Sequence, residues 1–153
     1  MTRRHWIGVV VLLALLLPWL VDVLVVTDEE SLRGLLDDFA LYAEEQDLDG
    51  IFGLLADDFQ SEAPSFRERT SDQWRTRAAR FFEPVQEVRV DLEKVELFVD
   101  GDEARSVVNG FLMLRTAEGG IPWQVEAELL WRRQPEGWRI ARLRSLNARI
   151  GAF

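Results

Sequence analysis

The spacing of apolar residues changes once along this chain, and that change limits the folds open to it. From residue 28 to Phe82, apolar residues recur every three or four positions, which is typical of amphipathic helices. After Pro84 they recur every second position, which is typical of strands with one buried face. The pattern predicts an α+β fold in which three N-terminal helices pack on an antiparallel sheet.

The helical part divides into three segments. Thr27 is followed three residues later by Glu30, which has the form of a capping box and predicts a helix that begins there. A second helix is predicted from Asp47 or Asp49, and its apolar side carries Ile51, Leu54, Leu55 and Phe59. A third is predicted from about Ser71, and one of its sides carries Trp74, Ala78, Phe81 and Phe82.

The strand pattern contains a phase slip at Glu93–Lys94. Val88, Val90 and Leu92 alternate in one phase, and Val95, Leu97 and Val99 continue in the other. One extra residue in a strand produces such a slip, so we predict a β-bulge and a sharp bend. Turn-forming residues separate four strands and predict a strongly bent, cone-shaped meander; the turns are Asp100-Gly101-Asp102, Glu118-Gly119-Gly120 and Gln134-Pro135-Glu136-Gly137.

The segment before the first helix is uniformly apolar. Residues 6–26 contain one charged residue, Asp22. A helix of that length spans about 30 Å, the thickness of the hydrocarbon core of a bilayer, so the segment is predicted to be a transmembrane anchor. Arg3 and Arg4 predict that residues 1–5 form a cytoplasmic tail and that residues 28–150 form an extracytoplasmic domain. A cleaved signal peptide is the alternative, but the run lacks an Ala-x-Ala-like site.

The basic residues indicate the type of cell. Seventeen of them are arginine and only Lys94 is lysine, which is typical of GC-rich bacterial coding. We therefore expect a single-pass protein of the bacterial inner membrane, with its N-terminus in the cytoplasm.

Composition argues against several classes of protein. The formal net charge of −9 argues against nucleic-acid binding, which requires clustered cations. The chain has no cysteine, and its one histidine, His5, precedes the apolar run. We therefore predict neither a metal site nor a cofactor.

Two stretches resemble a known family. Residues 47–58 read Asp-Leu-Asp-Gly-Ile-x-x-Leu-x-Ala-Asp-Asp, and residues 137–140 read Gly-Trp-Arg-Ile. Both resemble the nuclear transport factor 2-like superfamily, which includes ketosteroid-isomerase-like and SnoaL-like proteins. The resemblance covers nearly all of residues 28–150 and implies the same cone-shaped α+β fold. It also implies a homodimer through the outer face of the sheet.

The resemblance extends to the positions of the ketosteroid isomerase site. The general base of those enzymes matches Ala63, the oxyanion-donating tyrosine matches Phe39, and the partner acid falls near Leu129. Apolar side chains stand at all three positions, so isomerase chemistry has neither a base nor an oxyanion donor here.

A ligand pocket inside the cone is predicted from these positions and from nearby aromatic and polar residues. Asn109 shares a strand phase with Val107, Phe111 and Met113, so its amide is predicted to lie on an apolar face. A buried amide needs hydrogen-bond partners, which a ligand, the backbone or water would supply. The aromatic residues either line the pocket or close the core. The predicted lining comprises Phe39, Tyr42, Ala63, Trp74, Phe81, Asn109, Phe111, Met113, Trp123 and Leu129.

Charge is unevenly distributed along the chain. Residues 28–63 hold twelve acidic residues and one arginine, whereas the last two predicted strands are rich in arginine. An interaction surface is predicted at Arg132, Arg133, Arg139, Arg142 and Arg144. Pairing between the two regions within one monomer is the alternative.

Two hypotheses of function follow. The first is a membrane-anchored extracytoplasmic binding or assembly domain without catalytic activity, whose partner is a protein or a small apolar ligand. The alternative is an enzyme of the SnoaL-like isomerase, cyclase or dehydratase type with a non-standard acid–base set, for which Tyr42 and Glu62 are the candidate residues.

Overall fold

A computed structural model describes residues 27–150. The elements in chain order are α1 (Asp28–Glu45), α2 (Leu48–Gly53), β1 (Leu55–Ser61), α3 (Ser71–Phe82), β2 (Val85–Asp100), β3 (Glu103–Thr116), β4 (Gly119–Gln134) and β5 (Gly137–Ile150). The α+β architecture agrees with the prediction. The predicted tail and anchor, residues 1–26, lie outside the described residues. Within residues 27–150, no helix combines the length and apolar character that crossing a membrane requires.

One five-stranded sheet carries the helices on its concave side. Its strand order is β1-β5-β4-β3-β2, in which β2 to β5 form the predicted antiparallel meander and β1 joins β5 in parallel. The core lies between the sheet and the helices, and Leu32, Trp131 and Ile140 are its largest fully buried apolar side chains. The Trp131 indole N–H donates to the buried Ser106 hydroxyl at 2.8 Å, which satisfies both groups.

The predicted start of α1 is confirmed. The Thr27 hydroxyl accepts from the backbone N–H of Glu30, and the Glu30 carboxylate accepts from that of Thr27, so the capping box is complete. The neighbouring Asp28 carboxylate lies 2.5 Å from the Arg133 guanidinium. This ion pair joins the first turn of α1 to the end of β4.

The second helix is shorter than predicted. It ends at Gly53, and residues 55–61 form β1 rather than its continuation. The pairing of β1 with β5 is irregular between Leu55 and Gln60, so Ala56 and Phe59 are both buried although they are three residues apart. An irregular strand therefore reproduced the spacing of a helix, and the prediction of a helix through Phe59 is wrong.

The predicted bulge in β2 is confirmed. Leu92 pairs with Gly110 and Lys94 pairs with Asn109, so Glu93 is the extra residue. The Asp91 carbonyl oxygen lies close to Gly110, where a Cβ would meet it at 2.3 Å. Gly110 thus leaves the space that the bent strand needs.

The buried phase of β3 differs from the predicted one. Ala104, Ser106, Gly110 and Leu114 are buried, so the even-numbered residues face the helices. Val107, Asn109 and Met113 alternate with them and belong to the outer face. Both phases of this strand carry apolar side chains, Val107 and Met113 in one and Val108 and Leu114 in the other, so alternation alone does not decide between them.

Candidate functional site

A cavity of about 330 Å³ lies between the helices and the sheet. All three helices contribute to its wall, and the strands form its floor. The lining atoms are almost entirely apolar. The aromatic residues therefore do not fill the interior of the cone.

The α1 and α2 part of the wall depends on a tight turn. Asp47 caps α2 by accepting from the Gly50 N–H at 3.0 Å. A Cβ at residue 50 would lie 2.6 Å from the Tyr42 ring, so glycine lets α2 pack closely on α1. This packing directs Ile51 and Phe52 to the cavity, beside Phe39 of α1.

The α3 part of the wall is a stripe of three side chains. Trp74, Ala78 and Phe82 are spaced by four residues, so they lie on one face of the helix, and all three line the cavity. Ala78 is the smallest of them and leaves the most room.

The floor comes from all five strands, mostly from their inward phases. Val90 and Leu92 of β2 precede the bulge, and Gly110 of β3 lies opposite Leu92. Apart from Asp91, the remaining strand residues of the lining are Leu55, Phe59, Val108, Phe111, Leu112, Val125, Ala127, Leu129, Ile140, Leu143 and Leu146. Most of them were not among the predicted lining residues, although alternation along β4 already placed Val125, Ala127 and Leu129 on one face.

Four of the ten predicted lining residues border the cavity: Phe39, Trp74, Phe111 and Leu129. Phe111 pairs with Asp91 and belongs to the outer phase of β3, so strand alternation directs its side chain to the outer face. Tyr42 is half-buried and packs against the core beside Gly50. Ala63 is fully buried in the core cluster.

The other four predicted lining residues lie away from the cavity lining. Phe81 is exposed on α3 and contacts Phe82 edge-on, with 5.5 Å between ring centroids. Asn109 is half-buried and Met113 exposed, both in the outer phase of β3. Trp123 is half-buried, and its buried indole N–H has no hydrogen-bond partner among the described residues.

The cavity lining holds one ionisable residue, Asp91. It is exposed and stands between Val90 and Leu92, which both face inward, so strand alternation directs its side chain to the outer face. Its carbonyl oxygen, next to Gly110, is the part that approaches the interior. The lining described by residues 27–150 therefore places no carboxylate, imidazole or phenol inside the cavity.

The two candidate acid–base residues are not brought together. Tyr42 lies behind the wall, against the core. Glu62 is exposed on the loop after β1, and its carboxylate accepts from Arg142 at 3.1 Å. Phe39 and Leu129, which match two polar positions of ketosteroid isomerases, both line the cavity.

The predicted arginine surface is engaged within the chain. Arg132 donates to both carboxylate oxygens of Asp58, at 2.9 and 3.2 Å. These hydrogen bonds lower the pKa of Asp58 below its ordinary value. Arg133 bridges Asp28 and Asp102, and its hydrogen bond likewise lowers the pKa of Asp28.

The remaining arginines of this set follow the same pattern. Arg142 pairs with Glu62, Arg144 lies 3.5 Å from Glu128, and Arg139 donates to the Trp138 carbonyl at 3.0 Å. Three of the five arginines therefore pair with acidic residues of the 28–63 segment. This is the alternative in which the two charged regions pair within one monomer.

Comparison with known proteins identifies the family. The model of the SnoaL-like domain matches residues 25–144. No curated protein sequence matches the chain.

Solved structures share the fold. A single-site variant of Rv3472, a function-unknown protein from Mycobacterium tuberculosis, is 25% identical, with a TM-score of 0.66 over 77% of this chain and 69% of that one. A candidate scytalone dehydratase from Novosphingobium aromaticivorans is 12% identical, with a TM-score of 0.72 over 80% and 85% of the two chains. A candidate aromatic ring hydroxylase from the same species is 15% identical, with a TM-score of 0.69 over 80% and 93%. The resemblance drawn from residues 47–58 and 137–140 is thus confirmed, and the chain belongs to the family of SnoaL-like domains with a nuclear transport factor 2-like fold.

Proposed function

We propose that this SnoaL-like domain binds a small neutral apolar molecule without transforming it, and that residues 6–26 hold it at the bacterial inner membrane with the domain outside the cytoplasm. The observation that supports this most directly is the apolar lining of an unfilled cavity of about 330 Å³. A cavity of this kind favours a ligand that needs few hydrogen bonds.

The volume limits the size of the ligand. A cavity of about 150 Å³ lined by aliphatic and aromatic side chains accepts benzene, so this one accommodates roughly thirteen non-hydrogen atoms. A charged group would lose its hydration inside without gaining a partner, because the lining offers no opposite charge. We therefore expect two-ring aromatic or medium-chain aliphatic molecules to bind, and their anionic derivatives to be rejected.

The absence of catalysis is proposed from the same lining. Dehydration and isomerisation both need a positioned acid or base, and the inward-facing positions of α1 and β4 hold Phe39 and Leu129. The structural neighbours named as candidate dehydratases or hydroxylases are 12–16% identical to this chain, so their chemistry does not transfer with the fold.

The membrane location is proposed from the sequence. The apolar run of residues 6–26 ends one residue before Thr27, which caps α1. Alkaline extraction of the full chain from bacterial membranes tests the anchor: we expect the chain to stay in the membrane pellet, and release into the supernatant at full length would contradict it.

A binding experiment with a matched pair of probes tests the ligand class. We expect neutral 1-nitronaphthalene to quench the tryptophan fluorescence of the full chain in lipid nanodiscs saturably, after subtraction of empty nanodiscs. Its analogue 5-nitronaphthalene-1-sulfonate should bind at least about tenfold more weakly. Equal binding of the two probes would overturn the proposal.

Two neighbouring alanines provide the variant and its control. Ala78 lines the cavity and Ala79 is exposed on the same helix. Ala78→Phe places a ring in the cavity and should weaken binding of 1-nitronaphthalene about tenfold or more, whereas Ala79→Phe should leave it unchanged. If the two variants bind alike, the probe is bound elsewhere.

A further inference from the structure

A groove on the surface of α3 lies apart from the cavity. It runs between α3 and the loop that precedes this helix, and it has a volume of about 490 Å³. Its lining comprises Arg67, Glu68, Gln73, Thr76, Arg77 and Arg80. These six residues do not belong to the cavity lining, to which α3 contributes Trp74, Ala78 and Phe82 from another face. The groove is therefore a separate site.

The groove is basic although the protein is acidic. The whole chain carries a formal net charge of −9, whereas residues 64–80 hold five arginines and two acidic residues. Three of these arginines line the groove, against the single carboxylate of Glu68. A local excess of positive charge attracts anions, even to a protein whose net charge is negative.

One of the three arginines is held by its neighbours. The Arg77 guanidinium lies 2.8 Å from one carboxylate oxygen of Glu68 and 5.0 Å from the centre of the Phe66 ring. The other carboxylate oxygen of Glu68 is buried and has no hydrogen-bond partner among the described residues, so it is closed to a ligand in the groove. Arg69 fixes the loop by donating to two backbone carbonyl groups. Glu68 thus neutralises Arg77 and leaves the other two arginines of the groove uncompensated.

Three side chains of the groove offer unused hydrogen-bond donors. Arg67 and Arg80 are exposed, and neither has an ion-pair partner within residues 27–150. The side-chain oxygen of Gln73 accepts from the backbone N–H groups of Arg69 and Thr70, at 2.7 and 3.2 Å. These two hydrogen bonds fix the amide of Gln73 and leave its NH₂ group as a donor. The groove therefore combines two free guanidinium groups with one oriented amide.

We propose that this groove binds a phosphate monoester, whose phosphoryl group is held by Arg67, Arg80 and Gln73. Such a group carries a charge of about −2 at neutral pH, which the two guanidinium groups match. Each guanidinium donates two parallel hydrogen bonds to phosphate oxygens, and the amide of Gln73 supplies a further donor. A carboxylate has one charge and two oxygens, so it engages these donors incompletely. The ester is either a soluble compound or the headgroup of a lipid such as phosphatidate, which presents the same phosphoryl group.

Phosphorus NMR of the full chain in phosphatidylcholine nanodiscs tests the site. We expect the phosphorus resonance of sn-glycerol 3-phosphate to broaden saturably with the protein and not with empty nanodiscs. Inorganic phosphate should displace the ester, and glycerate, a carboxylate of similar size, should need a concentration at least about tenfold higher to do so. Absence of broadening, or equal displacement by the two anions, would overturn the proposal.

Two double variants with the same loss of charge locate the binding. Arg67→Gln with Arg80→Gln removes both free guanidinium groups and should weaken binding of sn-glycerol 3-phosphate about tenfold or more. Arg75→Gln with Arg149→Gln removes two exposed arginines outside the groove lining and should leave the affinity within about twofold. Circular dichroism confirms that both variants are folded. Equal affinities of the two variants would show that the ester binds outside the groove and would overturn the proposal.

The lipid composition of the nanodisc identifies the source of the phosphate. Discs in which phosphatidate replaces part of the phosphatidylcholine present a monoester from the membrane, and discs with the same fraction of phosphatidylglycerol present a negatively charged diester. If the ligand is a lipid headgroup, phosphatidate should reduce the broadening at least about threefold more than phosphatidylglycerol does. Equal broadening in the two kinds of disc assigns the groove to a soluble ester. Either result supports a phosphate site.

Discussion

At the scale of single residues, the contact between Gly50 and Tyr42 determines how the first two helices meet. A Cβ at residue 50 would lie 2.6 Å from the Tyr42 ring and 2.7 Å from a carboxylate oxygen of Asp47. We expect Gly50→Ala to destabilise the protein by about 1–3 kcal/mol, because the ring and the capping carboxylate must both move. Urea unfolding followed by circular dichroism measures the loss.

Gly34 is the matched control for this change. It lies in the middle of α1, and a Cβ added there would meet no atom within 4 Å, so Gly34→Ala should raise the free energy of unfolding by about 0.5–1 kcal/mol through helix propensity. A loss of stability at residue 34 equal to that at residue 50 would show that the Tyr42 contact is not the cause. The sequence placed Gly50 in a family motif, but only the packed helices identify the ring that requires it.

At the scale of the elements, the β2 bulge controls the bend of the sheet and the shape of the cavity floor. Deleting Glu93 would keep every cross-strand pair and return Leu92 and Val95 to regular alternation, so the strand would pair without its kink. We expect the deletion variant to keep its sheet signal in circular dichroism but to lose binding of 1-nitronaphthalene. Glu93→Ala keeps the extra residue, so this variant should bind 1-nitronaphthalene as the parent chain does. Binding by both variants would show that the bulge does not determine the shape of the cavity.

Strand phases explain what was predictable at this scale. The bulge was predicted because a slip in phase changes which residues are apolar, and that change is visible in the sequence. β1 was not predicted, because its irregular pairing spaces Ala56 and Phe59 as a helix would. The inner phase of β3 was misassigned because Val107 and Val108 are equally apolar, and only the neighbouring strands decide between them.

At the scale of the whole molecule, acidic and basic regions distant in the chain neutralise each other. Asp28 and Asp58 pair with arginines of β4, and hydrogen bonds from these arginines hold both pKa values below the ordinary range of an aspartate. The unfolded chain therefore binds more protons than the folded one as the pH falls through this range, so stability should fall below about pH 4. The uneven charge was visible in the sequence, but its partners depend on the fold.

A double variant measures this contribution. Arg132→Gln with Arg133→Gln removes both donors, so the free energy of unfolding should fall less between about pH 6 and pH 3 than in the parent chain. Arg149→Gln, on the exposed end of β5, should retain the parental pH dependence. A double variant with the parental slope would show that other carboxylates control acid unfolding.

A homodimer that forms through the outer face of the sheet is a further prediction for the whole molecule. That face carries the exposed side chains of Met113 and of Phe98, whose ring centre lies 4.4 Å from the guanidinium of Arg105 in the Arg105–Glu128–Arg144 cluster. Sedimentation of the full chain in detergent should give twice the protomer mass, and Met113→Glu should reduce it to one protomer. A single protomer in the parent chain would contradict the prediction.

The parallel pairing of β1 with β5 has a consequence for how the protein is made. β1 lies at the edge of the sheet that residues 27–150 describe, and its neighbour there, β5, is the last strand of those residues. Leu55 pairs with Ile140, and Glu62 reaches Arg142, so β1 has no partner in the sheet until β2 to β4 and then β5 have been synthesised. Contacts between such distant residues slow folding, because a long loop must close before they form. We therefore expect Phe59, which is buried in the folded domain, to stay exposed on the nascent chain until β5 has been made.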